Sequence, residues 1–188
     1  MALLGKVLRN RRAGETQMAW NLPDLAAADD IEVTSADFTH ETTLALIHAG
    51  KRAGGRDESP ALAWSTPPAG TAQLLLVVED PDAPTAQPFV HCVALLDPAV
   101  TELPRGALRA EAAPAGVRLL RSGWGREYMG PSPVKGHGPH RYAFQLFALT
   151  TPITEVGGKS PEEAKPRDVL AAARAHARGR IDGFYERS

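Results

Sequence analysis

Two short segments of this chain bring together side chains capable of acid–base or ligand chemistry. Asp80-Pro81-Asp82-Ala83-Pro84 runs on to His91, and Gly130-Pro131-Ser132-Pro133 runs on to His140-Arg141-Tyr142. Proline fixes φ and pushes the preceding residue toward extended geometry, so both loops can hold side chains in place before a ligand arrives. In extended backbone alternate residues point to one side, which predicts that Asp80 and Asp82 present both carboxylates in the same direction. Two such carboxylates repel, and His91, His140, Arg141 and Tyr142 are the groups available to stabilise them. Taken singly, each aspartate reads as a turn cap and each histidine as a satisfied core residue; taken together they read as a site.

The chemistry such a site could do divides three ways. A phosphate-like group needs donors, which His91, His140, the Tyr142 hydroxyl and loop N–H groups near Ser132 could supply. The aspartates could then orient the imidazoles, or receive an ammonium, so a phosphoethanolamine-like zwitterion would satisfy both halves. The alternative is a hydrolase, metal-dependent or using Asp and His as acid and base. No HExxH pair or other dense ligand spacing supports the metal version, and no G-x-S-x-G elbow serves Ser122 or Ser132. The third class is an interaction protein acting through its surface. No catalytic residue, metal or cofactor is assigned, and a non-enzymatic ligand-binding protein is expected.

The elements that position these groups are mostly strands. Leu74 to Val78 is five consecutive aliphatic residues, a strand covered on both faces that ends at the first motif. Val90 to Leu96 is a second, with His91, Val93 and Leu95 predicted on one face and Val90, Cys92, Ala94 and Leu96 on the other. Arg141 to Leu149 alternates Tyr142, Phe144, Leu146 and Ala148 against Ala143, Gln145, Phe147 and Leu149, and His140 shares the parity of Tyr142. Ile31, Val33 and Phe38 mark early strand and loop, and Ser59 to Trp64 is extended. Pro98 to Met129 reads as a long surface connection with one short strand around 116–120. Lys165 to His176, rich in Ala, predicts a helix broken by Gly179, and Ile181 to Glu186 an edge strand. Ala2 to Arg12 predicts a short basic amphipathic helix, suited to docking on the body or to anionic lipid, with no role in the site.

Bulk composition narrows the class further. A chain of 188 residues suits one domain, 1–188, with residues 1–20 as a basic N-terminal extension. A net charge of −1 gives no global field for nucleic acid. The single cysteine, Cys92, cannot form an internal disulfide, and the start of the chain lacks the pattern of a signal peptide, which predicts a cytoplasmic protein. No apolar run approaches the roughly 20 residues needed to span a bilayer.

The two motifs also carry a resemblance. DPDAP followed by His91, and GPSPVKGHGPHRYAFQLFAL, resemble the two signature regions of the phosphatidylethanolamine-binding protein family, which includes Raf kinase inhibitor proteins and many bacterial relatives. The upstream ESPALAW and LLLVVEDPDAP match the bacterial branch, so the resemblance covers Ser59 to Leu149 and, more loosely, Gly183-Phe184-Tyr185. It implies a mainly β fold, with a central antiparallel sheet, a smaller sheet and peripheral helices, and a small anion pocket. Asp80 and Asp82 fall on the family's pocket aspartates, His91 on its first histidine, His140 and Tyr142 on the second motif, and Gly130 and Pro133 on the loop wall. Phe89 stands where many members carry an aromatic residue, often tryptophan. Cys92 replaces a residue often aromatic, and Leu95 and Leu96 stand where an asparagine is common. The resemblance implies a phosphate or phospholipid-headgroup ligand, a kinase or protease as a possible protein partner, and a possible homodimer.

Overall fold

The computed structural model describes residues 7–187. Ten strands form two sheets, with the short α-helix Pro166–Ala172 and four single-turn 3-10 helices among the described elements. The larger sheet is built on four long strands, β5 (Gln73–Asp80), β6 (Phe89–Leu96), β9 (His140–Leu149) and β10 (Ala175–Tyr185). Together with β1 (Asp29–Asp30) and β8 (Val117–Leu119) its order is β1-β10-β9-β5-β6-β8, and β3 (Thr42–Thr43) also pairs with β10. The long strands pair antiparallel, whereas β1 and β3 lie parallel to β10. The smaller antiparallel sheet is β2 (Val33–Thr34), β4 (Leu62–Trp64) and β7 (Glu102–Leu103). The expected mainly β architecture of two sheets is therefore present.

The aliphatic runs form strands because both faces of the larger sheet are covered. Leu74, Leu76 and Val78 pack with Tyr142, Phe144 and Leu146 on one side, while Leu75 and Val77 pack with Phe147 and Leu149 on the other. Continuous hydrophobic runs, rather than alternation with polar residues, are what a doubly covered strand requires. The helix Pro166–Ala172 closes the second face with Val169 and Leu170.

Three local expectations are corrected. The helix stops at Ala172, and His176 to Arg180 belong to β10. β10 is also not an edge strand, since β9 flanks it on one side and β1 and β3 on the other. Gly179 is the reason this pairing fits: a Cβ there would lie 2.0 Å from the Ile31 carbonyl oxygen, so packing against the segment at β1 needs the missing side chain. The facing of β6 is the third. Across from β5, Val78 pairs with Cys92 and Glu79 with Val90, leaving His91 as a bulged residue without a partner. Val90 consequently joins Val93 and Leu95 in one core, and His91 turns to the face of Tyr142, with ring centroids 5.1 Å apart. Bulges change which way a side chain points, and here the change delivers the histidine to the site.

Of the helix expected over Ala2 to Arg12, residues 1–6 lie outside the described residues. Val7 and Leu8 are helical and the chain then turns, with the Arg11 amide donating to Leu8 O at 2.7 Å. Next it crosses the first motif, where Ala13 N–H donates to Ala83 O and Gly14 N–H to Pro81 O, both at 2.9 Å. Among the described residues no helix is long and apolar enough to cross a membrane.

Candidate functional site

A cleft of about 700 Å³ opens where the 80–85 loop, the start of β6, the 129–135 loop and the start of β9 converge. Its floor is Asp80, His91, His140 and Tyr142, all buried. Each is set there by backbone already described: Asp80 ends β5, His91 is the bulge of β6, and His140 and Tyr142 share one face at the head of β9.

The floor is tied together by hydrogen bonds. His140 Nδ1 lies 2.7 Å from Asp80 Oδ2, and Asp80 Oδ1 accepts the backbone N–H of Asp82 at 2.8 Å. Asp80 therefore both caps its own turn and orients an imidazole. His91 Nδ1 lies 2.6 Å from the Met129 carbonyl. A carbonyl only accepts, so Nδ1 carries the proton, and in the neutral ring Nε2 offers its lone pair to the cleft. Tyr142 Oη is buried without a hydrogen-bond partner. Burial first, and then the Asp80 carboxylate, push this hydroxyl well above its ordinary range, so it remains an O–H donor.

The wall is aromatic and apolar. Phe89 meets His91 edge-on at 5.0 Å and Trp124 at 5.8 Å, and Met129, Ser132 and Pro133 face them across the cleft. Trp124 is 69% exposed, an exposure unusual for a tryptophan and located at the mouth. Lys51, Arg52, Lys135 and Arg187 also line the opening. A chain of net charge −1 thus gathers four cations around one cavity. Besides Asp80 the lining holds one further carboxylate, Asp57, and it is already engaged: its Oδ1 accepts Gly130 N–H at 2.8 Å and its Oδ2 accepts the Lys51 backbone N–H at 3.1 Å.

Not every residue singled out in the sequence reaches the cleft. Asp80, Phe89, His91, Ser132, Pro133, His140 and Tyr142 line it, whereas Asp82 and Gly130 do not. The parallel carboxylates expected from extended geometry are absent because the backbone turns after Asp80. Asp82 Oδ2 instead accepts Arg141 N–H at 2.7 Å, and Oδ1 pairs with Arg12 Nη1 at 2.5 Å. Gly130 is packed behind the wall. A Cβ there would lie 2.3 Å from the His48 carbonyl oxygen. Sequence reasoning missed Arg12, set aside with the N-terminal stretch, and His137, which lies inside the second motif and contacts His140. Two histidines three residues apart in GHGPH were the available signal for the latter.

The described residues place the chain's candidate metal ligands elsewhere. Only His40, Glu41 and Asp182 bring three ligand atoms within 4.8 Å of one another, and Arg141 and Arg180 already occupy the Asp182 carboxylate. In the cleft, Asp80 and His140 spend ligand atoms on each other.

Burial lowers the His91 imidazole below its ordinary 6.5, against the raising influence of Asp80 and of the Met129 hydrogen bond. The unfolded chain takes up this proton first as pH falls, so stability present above pH 6.5 is lost on the way down to the folded value. In His91→Gln the component that the wild type loses as pH falls below 6.5 is expected to vanish. Thermal melts of both proteins across the window check it; parallel losses of stability would exclude His91 as a source.

Comparison with known proteins gives a consistent picture. The family profile described as phosphatidylethanolamine-binding protein matches residues 34–186. YbcL of Escherichia coli is 35% identical over 141 residues, covering 72% of this chain and 77% of YbcL. Phomoidride biosynthesis cluster protein B, from a fungal species, is 30% identical over 173 residues, covering 86% and 82%. The crystal structure of YbcL, titled a new member of the mammalian PEBP family, superposes with a TM-score of 0.72 at 33% identity, covering 83% of this chain and 98% of that one. A Chlamydia trachomatis homologue, 23% identical, shares the fold with a TM-score of 0.68, covering 86% and 100%.

Proposed function

This chain belongs to the phosphatidylethanolamine-binding protein family, and from that membership we propose that its cleft binds a small phosphate-bearing anion, free or as a lipid-type headgroup, without turning it over. The observation that carries this reading is the Tyr142 hydroxyl. A buried polar group without a partner costs about 1–3 kcal/mol, and one on the floor of a cleft is explained by a guest that accepts its hydrogen bond. His91 Nε2 adds an acceptor for a P–OH proton, and the cationic mouth favours negative charge. Of the two roles open to the aspartates, Asp80 orients an imidazole and Asp82 holds Arg12 and the Arg141 amide. Neither carboxylate is free for an ammonium, which favours the phosphate end of a headgroup at the floor.

Titrating the protein with inorganic phosphate and with phosphoethanolamine, followed by NMR chemical shifts, tests the reading. Binding is expected to tighten as pH falls through the lowered titration of His91, because a protonated His91 gains an N–H donor at Nε2. Tyr142→Phe is expected to weaken phosphate about tenfold or more, the worth of a hydrogen bond to a charged group. Equal affinity in Tyr142→Phe, or no shift of cleft resonances with either ligand, would mean that the cleft serves another guest.

A further inference from the structure

Behind the floor, a chain of hydrogen bonds runs Asp80–His140–His137 to the backbone of the N-terminal segment. His140 Nδ1 faces Asp80 Oδ2 at 2.7 Å, His140 Nε2 faces His137 Nδ1 at 2.6 Å, and His137 Nε2 faces Leu8 O at 2.8 Å and Arg11 O at 3.2 Å. His137 and His140 are both buried. Each bond needs one hydrogen, and the carbonyls can only accept, so the last must sit on His137 Nε2. The remaining two bonds need one hydrogen apiece. Three protons are therefore required, whereas two neutral imidazoles carry two.

We propose that His137 is a positioning residue whose ring obliges the trio to hold this extra proton, so that Asp80 lies in the floor as half of a neutral carboxylate–imidazolium pair. The contact with Asp80 draws the positive charge to His140, the ring next to the carboxylate, rather than to His137. Arg12 offsets Asp82 in the same way. Both acids of the DPDAP loop are thus compensated from behind, and an anion approaching Tyr142 and His91 meets a floor without net negative charge. The other charged and titratable groups packed around His140 fit this inventory. His91 spends its Nδ1 proton on Met129 O, Tyr142 stays a phenol, Tyr185 is its cross-strand partner, and Lys135 and Arg187 at the mouth are positive. The specificity follows: the site is for anions, and His137, outside the cleft, sets it.

The phosphate arm of the test rests on the binding reading above, while the spectroscopic arm does not. Imidazole ¹⁵N spectra of the wild-type protein at about pH 7.5 are expected to show His140 as the cationic ring of the pair and His137 as the neutral one. His137→Phe removes the acceptor, so His140 should become a neutral Nδ1–H tautomer, leaving Asp80 uncompensated and weakening inorganic phosphate about tenfold. His137→Asn gives up the Leu8 tether but places a carbonyl opposite Nε2; His140 should stay cationic and phosphate affinity should stay within about twofold of wild type. A merely structural role would make both variants behave alike. Two neutral rings in the wild-type spectrum overturn the proposal even if no variant folds, as does an unchanged His140 signal in His137→Phe. Should the wild type show the cationic ring and yet bind no phosphate, the proton inventory stands and the ligand assignment falls.

Discussion

Asp80→Ala is expected to lower the unfolding free energy by about 3–5 kcal/mol, the usual result of removing one partner from a buried ion pair. The side chains of Asp80 and His140 are 5% and 2% exposed, so water cannot replace the lost contact. The substitution also strips the Asp82 amide of its acceptor and leaves the turn after β5 without its cap. Asp80→Asn should lose less, because its carboxamide can donate to His140 Nδ1 while its oxygen still accepts from Asp82. Urea unfolding of the two variants and the wild type measures this, and an alanine variant within about 1 kcal/mol of wild type would mean that the pair contributes little to the fold.

The second large effect concerns a residue that touches no ligand. Gly130→Ala would set a Cβ 2.3 Å from His48 O, 2.5 Å from the Ala49 carbonyl carbon and 2.6 Å from Gly50 N. All three are backbone atoms and cannot swing aside, so the 46–50 and 129–132 segments must part. Overpacking of this kind costs about 3 kcal/mol or more when backbone has to move. Two hydrogen bonds would go with it, Gly130 N–H to Asp57 and Gly50 N–H to Pro131 O. Because these bonds hold the loop carrying Ser132 and Pro133, phosphate binding should be lost together with stability. A folded Gly130→Ala protein with wild-type melting temperature and undiminished phosphate shifts would refute this account of the wall.

Long apolar runs made much of the fold legible. Leu74 to Val78 and Tyr142 to Leu149 are buried whatever their neighbours do, and they became β5 and β9. The short strands were not legible, because Asp29–Asp30 and Thr42–Thr43 are strands only where they lie against β10. β10 itself misled for a related reason. Ala175-His176-Ala177-Arg178 has local helix preference, but ten register pairs with β9 outweigh it. In the site, the two motifs offered His140 as one of four candidate partners for the aspartates, whereas the facing of His91 depended on a bulge that no alternation pattern shows. Arg12 and the tether of His137 were not legible for a different reason. Arg12 meets Asp82 and His137 meets Leu8 about 70 and 130 residues away along the chain, so their significance comes from hydrogen-bond geometry rather than residue type.

The position of β10 bears on how this protein is made. β1 and β3 pair with residues 177–178 and 183–184, so during synthesis about 140 residues must emerge after either of them before it finds its partner. Until then one edge of β9, carrying Phe144 and Leu146, stands open on the nascent chain. Closing loops of that length is slow and leaves strand edges available to other chains. Ribosome-bound intermediates that lack β10 are therefore the species most in need of a chaperone, and the histidine-bearing end of β9 matures only once β10 has emerged.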